Sequence, residues 1–377
     1  MKEIYFDNAA TTKPYPEVLS IFDKVARDDF ANASSRHALG LKAYDLLEKA
    51  RRQIARYLKV KENEIVFTSG ASEGNNLAIK GVSYHNHGWA NRIITTKAEH
   101  PSVRNVFMEL EKEGFDVVYL DYDKEGRLNL EELKNALNEH TSLVSVMAVN
   151  NELGDVFPIH EVHELLKGSK AVLHVDATQA IGKEDVDSKD YDLMTFSGHK
   201  IGGRKGSGLL VKKEKVRLDG QILGGSQEEG LRAGTSPLPL DCSLATAIRL
   251  TLTSQSERRE NARKRNGFLR EELSKIPEIV ITSPTSGTPF ILSFALTKHK
   301  GSVIAQALSD RGIYVSTKSA CSAREAGFSS VVKNAGYSPL VASNNIRLSF
   351  SGRESLEEGS YFREVLKDIL AHTRIKE

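Results

Sequence analysis

Short apolar segments, rich in β-branched residues, recur through the first 212 residues and are separated by stretches with helical periodicity. They span residues 64–69, 92–96, 117–122, 142–150, 171–175, 192–197 and 208–212. In most of them both alternating sets of positions are apolar, which is typical of strands covered by helices on both faces. The sequence therefore predicts an α/β fold with a mostly parallel sheet, and a ligand site outside the carboxyl ends of its strands.

A second, smaller domain is predicted after a helical connector, because 377 residues are many for a single core. Residues 237–277 have the pattern of a long polar helix, and we interpret its charge run SERRENARKRN as a solvated face. After it, EIVITS, PFILSFAL, GIYVSTK and NIRLSF alternate like an antiparallel sheet, with helical stretches at 300–311 and 354–371. We predict a large domain of residues 15–255 and a small α+β domain of residues 1–14 and 256–377.

Charge and cysteine content exclude several classes of protein. The 52 Lys and Arg residues nearly balance the 50 Asp and Glu residues, so no field favours nucleic acid or an anionic membrane. Cys242 and Cys321 lie far apart and form no CxxC pair, so neither a disulfide framework nor a metal site is indicated. The N-terminus does not resemble a signal peptide and no run of about 18 apolar residues occurs, so we expect a cytoplasmic protein.

Polar residues gather at three predicted strand ends. Residues 69–80, SGASEGNNLAIK, place small residues at the start of a helix, which suits either a phosphate group or an ordinary N-cap. Asp176 follows an apolar strand, where a buried carboxylate needs a hydrogen-bonding turn or a cationic ligand group. Lys200, beside Ser197 and His199, ends the next strand, where desolvation favours a free amine. The sequence thus places a lysine that can form an imine and an acid that can pair with a ring nitrogen on consecutive strands. Together they predict a pyridoxal 5'-phosphate site.

Ten segments of the chain together resemble the cysteine desulfurases, which are fold type I pyridoxal-phosphate enzymes of the class V aminotransferase group. The resemblance is to the branch that supplies iron–sulfur cluster assembly, and it covers nearly the whole length. The segments are YFDNAATT at 5–12, NASSRHALG at 32–40, TSGASEGNNLAIKG at 68–81, EHPSV at 99–103, NNELG at 150–154, HVDATQAIG at 174–182, SGHKIGG at 197–203, GGSQEEGLRAGT at 224–235, SACS at 319–322 and IRLSFSGR at 346–353.

The resemblance implies roles around the cofactor ring. Lys200 would hold the cofactor as an internal aldimine, and Asp176 would pair with the pyridine nitrogen. His100 would stack on the ring and shuttle the thiol proton, for which a pKa near neutrality is suitable. Asn150 and Gln179 would orient the ring substituents and the phenolic oxygen, with Asn150 also near the substrate, although Asn150 equally fits a plain turn.

The resemblance also implies contacts to the phosphate and to the substrate. Thr235 would reach the phosphate from the second subunit of a homodimer. Arg347 would hold the carboxylate of L-cysteine, a role for which a bidentate guanidinium is apt. The residues that resemble a phosphate cup are Ala71, Ser72, Ser197 and His199.

Cys321 decides the expected reaction, because aminotransferases share the cofactor apparatus but need no thiol. Lys318 and Arg324 favour its thiolate, whereas Cys242 fits a buried structural cysteine. The resemblance implies that Cys321 takes sulfur from L-cysteine as a persulfide, leaves L-alanine, and passes the sulfur to an iron–sulfur scaffold or another acceptor protein. Phe328 stands where many relatives have proline, which alters this cysteine loop. The alternatives are an aminotransferase or selenocysteine lyase on the same cofactor site, and a non-catalytic scaffold.

Overall fold

The computed structural model describes residues 3–317 and 329–372. Its strands are β1 (Ile4–Tyr5), β2 (Ile65–Thr68), β3 (Arg92–Thr96), β4 (Asp116–Leu120), β5 (Thr141–Met147), β6 (Val172–Asp176), β7 (Leu193–Ser197), β8 (Gly208–Lys212), β9 (Ile279–Ile281), β10 (Ile291–Leu296), β11 (Ile313–Tyr314) and β12 (Asn345–Ser349). Its α-helices are α1 (Pro16–Asp28), α2 (Ala38–Leu58), α3 (Ala71–Asn86), α4 (Pro101–Lys112), α5 (Leu130–Ala136), α6 (Ile159–Leu166), α7 (Leu238–Thr253), α8 (Gln255–Ser274), α9 (Gly301–Asp310), α10 (Ser330–Asn334), α11 (Pro339–Ser343) and α12 (Leu356–His372).

A seven-stranded sheet in the order β2-β8-β7-β6-β5-β3-β4 is the centre of the larger part of the chain. Each of the seven predicted apolar segments corresponds to one of these strands. Strand β8 runs antiparallel to both neighbours, and every other neighbouring pair is parallel. The prediction of a mostly parallel sheet in an α/β fold is therefore confirmed.

Successive residues of a strand enter two different cores, one on each face of this sheet. In β2, Ile65 and Phe67 pack in a cluster that includes Leu47 of α2. Val66, between them, packs in a second cluster with Leu77 of α3. Because side chains alternate across a strand, this division explains why both sets of positions had to be apolar.

The predicted polar connector is two helices, broken at Ser254, which has φ −100° and ψ 8°. Helix α7 forms the first half of this connector and is largely buried, so the prediction of a single polar helix was wrong there. The solvated face predicted for α8 is also wrong at two arginines. Arg258 is buried and donates to the Ser351 carbonyl at 3.0 Å, and Arg265, 1% exposed, pairs with Glu354 at 3.0 Å.

A three-stranded antiparallel sheet, β12-β10-β9, lies in the C-terminal part, with α9 and α12 close to their predicted positions. The fourth predicted member, GIYVSTK, is not in this sheet. Its strand β11 pairs in parallel with β1, Ile4 against Ile313. Within the described part of the segment, its link to β12 is an isolated bridge from Ser316 to Arg347. The prediction of four antiparallel strands was wrong because β11 pairs instead with the N-terminal strand, in a separate two-stranded sheet.

A separate apolar cluster joins β1 to the C-terminal elements, with Phe6, Leu269, Phe294 and Phe362 among its members. Residues 331–342 instead contribute to the cluster on the large sheet. The domain boundaries at residues 14 and 255 stay a prediction. Across residues 3–317 and 329–372, no helix combines the length and apolar character needed to cross a bilayer.

Candidate active site

A cavity of about 170 Å³ lies at the carboxyl ends of three neighbouring parallel strands, where Met147 ends β5, Asp176 ends β6 and Ser197 ends β7. This is the edge at which open α/β sheets bind ligands. Nine of the predicted site residues line the cavity, although they come from five separate stretches of the chain. They are Ala71, Ser72, His100, Asp176, Gln179, Ser197, His199, Lys200 and Arg347.

Lys200 ends a single 3-10 turn that follows β7. Its Nζ donates to the carbonyl of Ala9 at 2.6 Å and to that of Ala10 at 2.8 Å. The backbone N–H of Thr12 donates to the His199 carbonyl at 2.8 Å, which ties this N-terminal loop to the turn. The loop therefore holds the lysine amine inside the cavity by contacts with neutral acceptors.

Asp176 is 4% exposed and hydrogen-bonded on both oxygens. Oδ1 accepts from the backbone N–H of Thr178 at 2.9 Å, and Oδ2 accepts from Asn75 Nδ2 at 2.9 Å. Among residues 3–317 and 329–372, no cationic side chain forms a salt bridge with this carboxylate. A buried anion of this kind is suited to a cationic ligand group.

His100 is the N-cap of α4, and Pro101 at the first helical position favours that start. The backbone N–H of Ser102 donates to His100 Nδ1 at 3.1 Å, so the neutral ring carries its proton on Nε2. Burial lowers the pKa of His100, and the positive charge of Lys200 adds to this effect, while Asp176 opposes it. His100 is therefore a neutral ring with a donor N–H at neutral pH.

The start of α3 forms the predicted phosphate cup. The backbone N–H of Ala71 donates to Ser197 Oγ at 2.7 Å, which joins the helix start to the end of β7. A side chain at Gly208 would come within 2.4 Å of the Gly70 Cα, so glycine is required where β8 passes this loop. Free N–H groups and the positive dipole end of a 16-residue helix favour an anion here.

His199 lies at the rim of the cup, between the cavity and the N-terminal loop. Its Nδ1 is 3.1 Å from Thr11 Oγ1. Burial, with the charges of Lys200 and Lys205, lowers the pKa of His199 to about 4. His199 is thus neutral, and it would contact an anion as a hydrogen-bond donor and not as a charge.

Asn75 is a site residue that our sequence reasoning missed. It is fully buried, and its Nδ2 donates both to Asp176 Oδ2 and, at 2.9 Å, to Ser102 Oγ. Ser102 Oγ is 2.9 Å from His100 Nδ1, so one amide joins the acid and the imidazole. Asn75 stands four residues after Ala71, on the same helix face, which is the signal that could have revealed it.

Further buried polar side chains are linked to Asn75 by a series of hydrogen bonds. Its Oδ1 accepts a short hydrogen bond from Thr195 Oγ1, and His174 Nε2 is 3.2 Å from the same hydroxyl. Ser145 Oγ is 2.8 Å from His174 Nδ1. Burial lowers the pKa of His174 to about 4, so the chain consists of neutral groups that orient the Asn75 amide.

Arg347, on β12, is 2% exposed and reaches the cavity from the C-terminal sheet. Nη1 donates to the Asn151 carbonyl at 2.6 Å and Nη2 to Asp7 Oδ1 at 2.8 Å. Its Nε is buried and has no hydrogen-bond partner within the described parts of the chain. A buried donor without a partner suits a ligand acceptor such as a carboxylate.

The geometry does not support the contact predicted for Asn150. Its Nδ2 donates to the Ala98 carbonyl at 3.0 Å, and its Oδ1 accepts from the backbone N–H groups of Glu152 and Leu153 at 2.8 and 2.9 Å. The side chain therefore serves the turn, and Asn151 lines the cavity in its place. A role for Asn150 in cofactor or substrate binding stays a prediction.

The two remaining predicted site residues are Thr235 and Cys321. Thr235 is exposed and is not among the residues that line this cavity, so its contact from a second subunit stays a prediction. Cys321 lies outside the described residues, as do Lys318, Arg324 and Phe328.

Cys242, the other cysteine, lies on α7 with its Sγ 3.9 Å from the Leu46 carbonyl. Burial raises the pKa of its thiol to about 12, so it is unreactive at neutral pH. Within the described residues no three His, Cys, Asp or Glu side chains form a group that could hold a metal ion.

Comparison with known proteins identifies the family. The family model for class-V aminotransferases matches residues 4–358. The chain is 42% identical to a "NifS/IcsS protein homolog" of Lactobacillus delbrueckii subsp. bulgaricus, over 98% of this chain and 97% of that protein. It is 38% identical to the cysteine desulfurase IscS of Clostridium botulinum, over 99% of this chain and 96% of that one.

A solved structure agrees with these relatives. A NifS-like protein superposes with a TM-score of 0.92 at 33% sequence identity, covering 98% of this chain and 100% of its own. Because the family model, the relatives and the fold agree over nearly the whole length, the chain belongs to the class-V aminotransferase family and, within it, to the cysteine desulfurases.

Proposed function

We propose that this cysteine desulfurase binds pyridoxal 5'-phosphate in the cavity at the carboxyl edge of the sheet and transfers the sulfur of L-cysteine to Cys321. The observation that carries the cofactor assignment is the single cavity into which Lys200, Asp176 and His100 converge. Pyridoxal-phosphate dependence is the rule in the family to which the chain belongs.

The residues present fit this cofactor. Lys200 would hold its aldehyde carbon through Nζ, and the buried carboxylate of Asp176 would face the protonated ring nitrogen. The start of α3 with Ser197 would receive the phosphate. The neutral ring of His100 would lie against the cofactor ring. When bound, the cofactor supplies an electron sink for the carbon that loses its proton.

The chain's own residues would bind the substrate and move protons. Arg347 would donate from its unpartnered Nε to the substrate carboxylate. Lys200, once displaced by the substrate amine, would take the proton from Cα and return one later. His100 would exchange a proton with the substrate thiol through Nε2, since its Nδ1 is occupied by Ser102.

The sulfur step would involve Cys321. Its thiolate attacks the sulfur of L-cysteine, so that an S–S bond forms and the C–S bond breaks. The electron pair of the C–S bond stays with the carbon skeleton, which takes up a proton and leaves as L-alanine. The products balance, because L-cysteine and one enzyme thiol give L-alanine and one enzyme persulfide.

A homodimer and a sulfur-acceptor protein complete the proposal. Large apolar side chains stay exposed on α2 and in the stretch before the 224–235 motif, with Leu39 at 56% and Leu223 at 81% exposure. A groove of about 670 Å³ is lined by residues of α2, including Tyr44, and of the 224–235 motif, including Ser226. A second copy covering this groove would bury Tyr44, which is 50% exposed, and bring its own Thr235 near the phosphate. The acceptor would be an iron–sulfur scaffold or another carrier, and a cytoplasmic location stays a prediction.

Two variants test the proposal. Wild-type protein loaded with pyridoxal 5'-phosphate should be yellow. Borohydride reduction should leave the cofactor covalently attached to Lys200. Cys321→Ala should keep the absorption band and lose formation of alanine and sulfide. Mass spectrometry after cysteine treatment should find one added sulfur on Cys321, with Cys242→Ala as the control that still gains it. Undiminished desulfuration by Cys321→Ala would refute the sulfur step, and alanine formation that requires a keto acid would indicate an aminotransferase.

A further inference from the structure

Lys183 is a buried lysine that the proposed reaction does not use. It is 4% exposed, and its Nζ donates to Gln179 Oε1 at 2.7 Å. Within residues 3–317 and 329–372 it has no salt bridge to a carboxylate. A buried amine without an ionic partner destabilises the fold, so its one side-chain contact calls for a reason.

The contact fixes which end of the Gln179 amide faces the cavity. The Lys183 amine donates to Gln179 Oε1, so the Gln179 amide presents its carbonyl oxygen to Lys183. The N–H end then points to the other side, where it donates to the Ala9 carbonyl at 3.0 Å. That carbonyl also accepts from Lys200 Nζ at 2.6 Å, so the oriented amide lies beside the lysine that would hold the cofactor.

We propose that Lys183 is a positioning residue that keeps the N–H groups of Gln179 turned toward the cavity, so that this wall favours an anionic oxygen on the bound cofactor. The inference rests on the proposed pyridoxal-phosphate site, in which the phenolic oxygen is the matching group. The cations that surround Lys183 support it, because Lys200, Arg258 and Arg347 would repel a second ammonium and leave Gln179 as the available acceptor. Glu184 is the carboxylate that partly offsets them.

The test is a pH titration of the visible absorption band of protein loaded with pyridoxal 5'-phosphate. In Lys183→Met the amide is free to turn, so the phenolic oxygen loses a donor that favours its ionised form. We expect the titration midpoint to rise by about one pH unit, a tenfold change in proton affinity. Lys212→Met is the matched control, because Lys212 is also a buried lysine but donates to the Val216 carbonyl at 3.2 Å.

A double-mutant cycle separates orientation from charge. If Lys183 acts through the amide, Lys183→Met should add little to the shift already caused by Gln179→Leu. Shifts that simply add would show that Lys183 acts by its charge, and would overturn the proposal. A Lys183→Met midpoint equal to that of Lys212→Met would overturn it as well.

Hydrogen exchange in wild-type protein tests the proposal in two further cases: when no visible band forms, and when Lys183→Met does not fold. If wild-type protein gains no visible band, the proposed cofactor fails, and the amide can still be examined in cofactor-free protein by NMR. Slow hydrogen exchange of the Gln179 side-chain N–H groups in wild type, and faster exchange in Lys183→Met, supports the positioning role. If Lys183→Met does not fold, fast exchange of those groups in wild type overturns it.

Discussion

Glu99, one residue before His100, gives the sharpest test of the electrostatics. Its Oε1 accepts from Thr96 Oγ1 at 2.8 Å and from the backbone N–H of Met147 at 2.9 Å, whereas its buried Oε2 has no hydrogen-bond partner in the described parts of the chain. Burial raises the pKa of Glu99 to about 8, and the negative charge of Asp176 adds to the shift. The side chain is therefore protonated in the folded protein at neutral pH.

The sign of the effect on stability follows from proton binding. Between the pKa of an unfolded glutamate, about 4.5, and the folded value of about 8, the folded state binds more protons than the unfolded one. The free energy of unfolding must therefore fall as pH rises through this window. At 1.36 kcal/mol per unit, the loss is about 1 kcal/mol at pH 5 and about 3 kcal/mol at pH 7, and it approaches about 5 kcal/mol by pH 9.

Glu99→Gln removes this loss, because glutamine has the shape of the protonated acid and keeps its carbonyl toward Thr96 and Met147. We expect urea unfolding, followed by circular dichroism on cofactor-loaded protein, to show the variant more stable by about 3 kcal/mol at pH 7 and by less than about 1 kcal/mol at pH 5. Glu113→Gln, at an exposed carboxylate just after α4, is the control and should show little pH dependence. A stability difference that stays constant from pH 5 to pH 9 would refute a buried protonated Glu99.

Three further outcomes are expected. Asn75→Leu removes one hydrogen-bond partner from each of Asp176, Ser102 and Thr195, so it should lower the free energy of unfolding by about 3 kcal/mol or more and the turnover by at least about tenfold. Asn76→Leu on the same helix should change neither greatly. The Cys242 thiol should resist iodoacetamide at pH 7.5 in folded protein because burial raises its pKa to about 12, and peptide mapping of the alkylated protein checks this. Burial and nearby cations lower the pKa of Lys183 to about 7, so the unfolded chain binds more protons than the folded protein from pH 7 to about 10. The free energy of unfolding of wild type, measured with urea, should therefore rise with pH across that range relative to that of Lys183→Met.

The positions of Lys200 and Asp176 could be predicted because a local pattern determines them. An apolar run that ends in a polar residue identifies a strand end, and consecutive parallel strands bring their ends to one edge. The direction of β8 was not predictable in this way, because an apolar run of five residues carries no signal for its orientation. The pairing of β11 with β1 likewise depends on segments about 310 residues apart.

The polar network of the site could not be predicted, because its members meet only after the strand order is set. Asn75 contacts Asp176 and Thr195, which lie 101 and 120 residues away in sequence. For Asn150 the sequence motif suggested a ligand contact, but its side-chain amide is hydrogen-bonded to the backbone of its own turn. Which atoms a buried amide contacts depends on all of its neighbours at once.

The loop that holds the lysine amine also determines when the enzyme can mature. Asn8 donates to the Ser349 carbonyl at 3.1 Å, and the backbone N–H of Ala9 donates to Ser349 Oγ at 2.8 Å. The carbonyls that receive Lys200 are thus fixed by β12, which is synthesised after every strand of the large sheet. A nascent large sheet can pack its cores earlier, but its lysine gains a finished pocket only after β12 has been added. Cofactor loading is therefore expected to be a late event, and a chain truncated before β12 should fold its sheet without retaining the cofactor.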